Sequence, residues 1–401
     1  VNAGDRSIDR RGRDKHAAAF LSYGFRPFFL FGSAFAALAV PLWLGVYFGH
    51  LAPVGLLPPP SWHAHEMIFG YLGAVMAGFI LTAVPNWTGR LPLSGARLAV
   101  LVALWLAGRL AMSFDPEPVS AAILDLVFPV ALAAAIWREI LAGRNFRNGP
   151  IALLFTLFAV ASLLDHAGGF LPALQGYGTR LALGVAAMLI ALVGGRVTPS
   201  FTRNWMARLQ LSPLPAPLDN FDRAALATVA VAIPAWIFAP ASPFSGAALA
   251  TAGALLLIRL ARWRGYRTIA EPIVLVLHLG YLWLAAALLL LGLAAIAPAT
   301  VPATSGIHAL TAGAVGTMTL GVMTRASRGH TGRPIVADPA TLAIYGCVTA
   351  GALLRVIAPL APMAHGPMLM AGGFAWSAAF LTFAIAYGPM LLRERIGLQG
   401  G

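Results

Sequence analysis

Of the chain's 401 residues 59% are hydrophobic and 10% charged, with a mean hydropathy of +0.80, against roughly 25% charged in an ordinary soluble domain, so a soluble fold is excluded and the lipid bilayer is the expected partner of the surface. The single cysteine, Cys347, lies in an apolar run, which excludes disulfides, thiolate-held iron–sulfur clusters and zinc ribbons, and without Cys-x-x-Cys-His there is no covalent c-type haem. The net charge of +13 follows loop position, so it reports topology, and no nucleic acid partner is expected.

The amino-terminal segment 1–27 is basic, and Arg6 to Lys15 resembles a signal-peptide n-region. The apolar run from Phe28 to Phe48 lacks a small-residue cleavage site and reads as a retained first helix. Apolar runs of about 18 to 25 residues, long enough to cross a hydrocarbon core of roughly 30 Å as helices, recur along the chain. They predict an all-α membrane protein of twelve transmembrane helices, over 28–48, 65–86, 96–113, 120–139, 151–171, 180–195, 223–239, 246–262, 272–297, 306–325, 338–360 and 367–391. These form one transmembrane domain, 28–391, followed by a tail at 392–401.

Every second loop carries arginine: Arg90 to Arg97, Arg138 to Arg147, Arg196 to Arg223, Arg259 to Arg267, Arg325 to Arg333, and the tail with Arg393 and Arg395. The intervening loops, such as Leu56 to Pro60 and Asp115 to Pro118, hold almost none, so both termini are expected in the cytoplasm. Arg109 in the third span and Arg355 in the eleventh are buried charges. A charge at membrane depth is costly enough that each should meet an acid, a cofactor carboxylate or a backbone carbonyl, as a structural tie or at a functional site. Arg180, at an outer mouth, reads as snorkelling.

His16, His50 and His365 fall where water satisfies an imidazole. The densest chemistry is Trp62-His63-Ala64-His65-Glu66-Met67, after a Pro-rich turn. If helical, it puts His63, Glu66, Met67 and Gly70 on one face and His65 on the other; if extended, it lets both imidazoles chelate one metal. Imidazole with a thioether suits copper, and imidazole alone suits haem iron. In the ninth span Glu271, His278 and Tyr281 share a face, as a proton path or an interhelical contact. The tenth opens with His308 above a stripe of small residues, able to admit a flat ligand.

The second and tenth spans echo each other. From His65, glycine follows at Gly73 and Gly78, then Thr88-Gly89-Arg90; from His308 the same offsets give Gly316, Gly321 and Thr331-Gly332-Arg333. Two such helices could grip a porphyrin from both faces. Ligation by two histidines closes the iron to a gas, whereas one leaves a position open.

Phe25-Arg26-Pro27-Phe28-Phe29, the His-x-His-Glu-Met block at His63 to Met67, Leu81 to Gly89, Gly194 to Val197, and Thr324 to Arg333 with Gly-His-Thr-Gly-Arg together resemble the NnrS family over nearly the whole chain. The resemblance implies a multi-pass protein of the bacterial inner membrane that holds haem b and copper and serves the nitric oxide and nitrosative stress response. Ligands carried over by position are His63, His65, His278 and His308, with His330, placed in a cytoplasmic loop, in the second rank; Met67 and Glu66, read from the block itself, are second-rank ligands or supports. His166 beside Asp165 reads as a supporting or proton-handling pair. Three functions stay open: an oxidoreductase that binds or reduces nitric oxide with electrons from a quinol or other donor, a non-enzymatic haem or copper binding or delivery protein, and a secondary transporter.

Overall fold

The computed structural model describes residues 19–397, so the basic stretch Arg6 to Lys15 and His16 lie outside the described residues. Among the described residues twelve helices are long and apolar enough to cross a membrane: α1 Phe25–Tyr47, α2 Pro59–Thr88, α3 Gly95–Phe114, α4 Pro118–Ala142, α5 Phe146–Phe170, α6 Pro172–Arg208, α7 Asn220–Phe238, α8 Pro243–Arg262, α9 Pro272–Ile296, α10 Ala303–His330, α11 Pro339–Leu360 and α12 Pro362–Leu392. Among the described residues there is no strand. Only a helix satisfies its own backbone in hydrocarbon, so an apolar run of this length has one regular conformation to take.

The punctuation between spans follows local chemistry. Proline opens α2, α4, α8, α9 and α11, where its missing N–H costs nothing. Glu117 caps α4 by accepting the Ser120 N–H at 2.8 Å, and Asp338 caps α11 through Thr341 at 2.9 Å. Asp219 and Asp222 form a reciprocal capping box at the start of α7. Gly89 ends α2 at φ +69°, a left-handed conformation that suits glycine.

Several helices outrun their expected spans. The sixth, expected to stop at 195, continues as α6 to Arg208, and α10 runs on to His330 instead of ending at 325. Arg328 and His330, assigned to a loop, therefore sit in the last turn of α10. A cation lowers hydropathy without breaking backbone hydrogen bonds, and it is favoured at a helix C-terminus.

The chain sorts into two compact units. The first holds residues up to His166, Met323–Ile335 and the segment from Leu381 on; the second holds Ala167–Val322 and Val336–Phe380. In the first unit α2 is the enclosed element, with 83% of its apolar core buried against 39% for α4. Among the helices that lie mainly in the second, α10 and α9 are the most enclosed, at 67% and 61%.

Three of the long helices widen into a π turn: α2 at Glu66–Leu72, α6 at Ile190–Gly194 and α10 at Ala309–Val315. In α2 and α10 the widened turn starts directly after His65 or His308 and gives way to α-helix at Gly73 or Gly316, so the echo in sequence is an echo in structure. Each π segment has a carbonyl taken by a donor on another helix. Trp105 Nε1 donates to Gly70 O at 2.9 Å, Arg259 Nη1 to Ala191 O at 3.1 Å, and Trp376 Nε1 to Ala312 O at 3.2 Å. These bonds satisfy acceptors that the altered ladder would otherwise leave bare in an apolar interior.

Candidate functional site

In the first unit the opening of α2 is helical from Pro59, so the extended alternative for the His63–His65 pair does not hold. The two imidazoles part company. His63 stacks on Trp43 of α1, with ring centroids 4.2 Å apart. His65, 2% exposed, turns into the bundle, where its Nδ1–H donates to Asp165 at 2.9 Å. His166 donates Nε2–H to Asp125 Oδ2 at 2.8 Å. Arg109 bridges Glu66, at 2.6 Å, and the other oxygen of Asp125. Glycine is needed for this fit: a Cβ on Gly70 would lie 2.9 Å from Arg109 Nη1, and one on Gly108 would lie 3.0 Å from Asp125.

His65 and Glu66, adjacent in sequence, thus serve one cluster. The sequence reading put them on opposed faces. The π turn that begins at Glu66 changes the rotation per residue, which an ideal helix does not anticipate. Met67 is half-buried in the same turn.

The electrostatics of the cluster are unusual for a membrane interior. Glu66, Asp125 and Asp165 carry three negative charges against the single guanidinium of Arg109 when the imidazoles are neutral. A carboxylate only accepts, so the His65 Nδ1–H faces Asp165 and Nε2 of the neutral ring holds a lone pair. That Nε2 lies 3.3 Å from Asp125 Oδ2 without hydrogen-bond alignment. Two lone pairs at this separation repel, and either a proton on the ring or a cation between them removes the repulsion. Glu66 Oε1 is also buried without a hydrogen-bond partner. The ligating atoms of His65, Asp125 and His166 lie within 4.8 Å of one another, and metal–ligand bonds of about 2.0 to 2.2 Å place neighbouring donors roughly 3 to 4 Å apart. Once the His166 Nε2 proton is lost, these three side chains could hold a metal ion.

The family model described as NnrS protein matches residues 19–395. The chain belongs to the NnrS family. Comparison with individually curated proteins gave no match. Membership supports a membrane protein of the nitric oxide response; the family is associated with metal or haem binding, and His65, Asp125 and His166 form a possible metal site in this NnrS chain.

Asp125 was missed in the sequence reading. Its signal was available: it is the lone acid within the apolar stretch 120–137, and an intramembrane carboxylate is a functional candidate by default. Arg109 is buried as expected, at 6% exposure, and its partners are acids. Arg355 is half-buried instead.

In the second unit of this NnrS chain the ninth-span stripe divides. Thr202 gives its hydroxyl hydrogen to Thr198 O at 2.9 Å and accepts from His278 Nε2–H at 2.8 Å. His278 Nδ1 is then a buried lone pair without a hydrogen-bond partner, facing Gly265, where a Cβ would come within 2.5 Å. Tyr281 accepts from Arg259 at 2.7 Å, and Arg259 pairs with Asp222 at 2.7 Å. Glu271 precedes α9 without capping it through its side chain. No hydrogen bond joins Glu271, His278 and Tyr281, so among the described residues they form no continuous path.

His308 donates Nδ1–H to Thr304 O at 2.6 Å, leaving Nε2 as its lone pair. A backbone carbonyl on the far nitrogen is the usual way a ligating imidazole is oriented. His278 and His308 do not meet. Gly280 packs on Met318 and Gly306 on Leu291, so the two helices run antiparallel. The level of His308 is thus about eleven residues along α9 from His278, about 17 Å at about 1.5 Å per residue. His65 belongs to the first unit. His330 ends α10 exposed, with Phe25 at 5.4 Å and Tyr23 at 6.5 Å.

Proposed function

We propose that this chain is a haem- and copper-binding protein of the bacterial inner membrane that binds nitric oxide and reduces it with electrons from a quinol. The observation that carries the reading is the enclosed His65–Asp125–His166 cluster with Asp165, Glu66 and Arg109 around it. Its charge excess of two carboxylates, its opposed lone pairs and its nitrogen and oxygen donors suit a divalent copper ion. The lone pairs of His278 and His308 would serve to hold haem iron, each separately given the distance between them. Iron and copper, when bound, supply the redox chemistry and an open position for nitric oxide.

The protein's own groups have separable tasks. Asp165 fixes the His65 tautomer and, 19% exposed at its side chain, connects the cluster to the surface for proton exchange. Arg109 bridges Glu66 and Asp125 and keeps the two carboxyl groups apart. Thr202 and Thr304 set which nitrogen of His278 and His308 is free. The arginine pattern of the loops supports cytoplasmic termini, which puts the His65 cluster towards the opposite face.

The test is metal and haem analysis of protein purified in detergent from cells supplied with iron, haem precursor and copper. Wild type should carry both. His65→Ala and Asp125→Asn should lose copper and keep the Soret band; His278→Ala and His308→Ala should do the reverse. Wild type without either cofactor would sink the reading and leave the carrier. With both bound, nitric oxide consumption driven by a quinol separates an enzyme from a storage or delivery protein.

A further inference from the structure

Two motifs that the metal sites leave unused converge in the first unit. Phe25 to Phe29 begins α1, and Gly329 to Arg333 ends α10. Arg26, 3% exposed, donates Nη1 to Leu391 O at 2.8 Å and to Arg393 O at 2.5 Å, capping the end of α12. Its Nε is buried with no hydrogen-bond partner. Arg328, 7% exposed, donates to the Tyr387 hydroxyl at 3.0 Å. Gly332 turns the chain at φ +76°, and a Cβ there would lie 2.5 Å from Ile396 O. Ile396 N–H in turn donates to Thr331 O at 3.0 Å, which clamps the tail against the turn. His330 sits between Tyr23 and Phe25, within reach of the charges of Arg395 and Arg26.

The result is five guanidiniums, Arg26, Arg328, Arg333, Arg393 and Arg395, against one carboxylate, Glu394, across the segments 23–29, 328–335 and 387–397. Topology alone would ask for arginines in water. Here two are desolvated. Burial, with Arg393 and Arg328 alongside, lowers the affinity of Arg333 for its proton, so the cluster resists its own charge. Exposed apolar side chains ring it: Tyr23, Ile335, Leu392 and Ile396. A free phosphate in water has no use for that apolar rim, whereas a lipid with its headgroup at the bilayer surface meets both the cations and the rim.

We propose that these segments form a binding site for a phosphate ester, the headgroup of an anionic phospholipid on the arginine-bearing side of the bilayer. The assignment is independent of the metal sites and of which side is cytoplasmic. Arg333, Arg395 and His330 engage the phosphate, while Arg26 and Arg328 hold the frame and supply field.

The experiment is native mass spectrometry of the full chain in detergent, titrated with phosphatidylglycerol and with phosphatidylcholine of the same acyl chains. Wild type should retain phosphatidylglycerol in preference. Arg333→Gln with Arg395→Gln should weaken that binding about thirty-fold and leave phosphatidylcholine unchanged. Arg395→Gln alone, on the exposed tail, should weaken it about fivefold and decides the matter if the double variant does not fold. Arg144→Gln with Arg147→Gln, which removes equal charge from another loop, should change nothing. Equal retention of the two lipids, an unchanged preference in the variants, or an equal loss from the Arg144 and Arg147 pair would overturn the site. Displacement of phosphatidylglycerol by millimolar inorganic phosphate would assign the site to free phosphate and overturn the lipid.

Discussion

Arg109 is held by carboxylates on both sides, and the value of the arrangement lies in its planar fork. Asp125→Asn removes the charge and one of the two acceptor oxygens, so either the Arg109 arm or the His166 N–H faces an amide NH2 instead of an acceptor. It should destabilise the detergent-solubilised protein by on the order of 3 to 5 kcal/mol, measured by denaturant unfolding. Arg109→Lys should not restore it, because a point charge on a flexible stem cannot bridge Glu66 and Asp125 together. A lysine variant as stable as wild type would show that the bridge is not needed. Outside the membrane, the Ser120 hydroxyl and the Glu117 N–H hold the Asp115 carboxyl below the ordinary carboxylate range. A depressed carboxylate contributes stability above its unfolded value, about 3.9, and loses it as pH falls through the folded value. Ser120→Ala should therefore move the Asp115 titration, followed by carboxyl carbon NMR, upward towards that ordinary value.

The π turns are the features that most directly couple element geometry to the sites. Each adds a residue to a turn, and His65 and His308 stand at the threshold of two of them. Deleting Ile68 should restore an α-helical ladder and rotate His65 by about 100° relative to the rest of α2. Helix content by circular dichroism should stay constant while bound copper is lost; retained copper would show that the π turn does not set the ligand direction. Trp105→Phe should cost about 1 to 3 kcal/mol, because Gly70 O is left buried without its donor. The same segments explain why the sequence reading of Trp62 to Met67 went astray. A face drawn at 3.6 residues per turn assigns His65 and Glu66 to opposite sides, and nothing in the residues announces where a helix widens.

At the scale of the whole molecule, the arginine-bearing loops predict that the segment before Phe25 and the segment after Leu392 lie on the cytoplasmic side of the membrane. Carboxy-terminal fusions to a fluorescent protein should be bright and fusions to a periplasmic phosphatase inactive; the reverse result would invert the arginine argument. The sequence by itself determined the all-α class, the number of helices, the burial of Arg109 and the family, because hydrocarbon admits one backbone solution for each apolar run and the motifs are local. Helix ends were less legible, since hydropathy falls at Arg328 and His330 while the backbone ladder continues through them. The candidate centre was legible only in half. His65, Glu66, Arg109, Asp165 and His166 were each singled out, yet not as one group, and Asp125, which joins them, was not seen. Their meeting depends on which helices pack together and on the rotation of α2 across its π turn. Those are decided by tertiary contacts, where small residues such as Gly70 and Gly108 let charged side chains close on one another, and no local pattern encodes that choice.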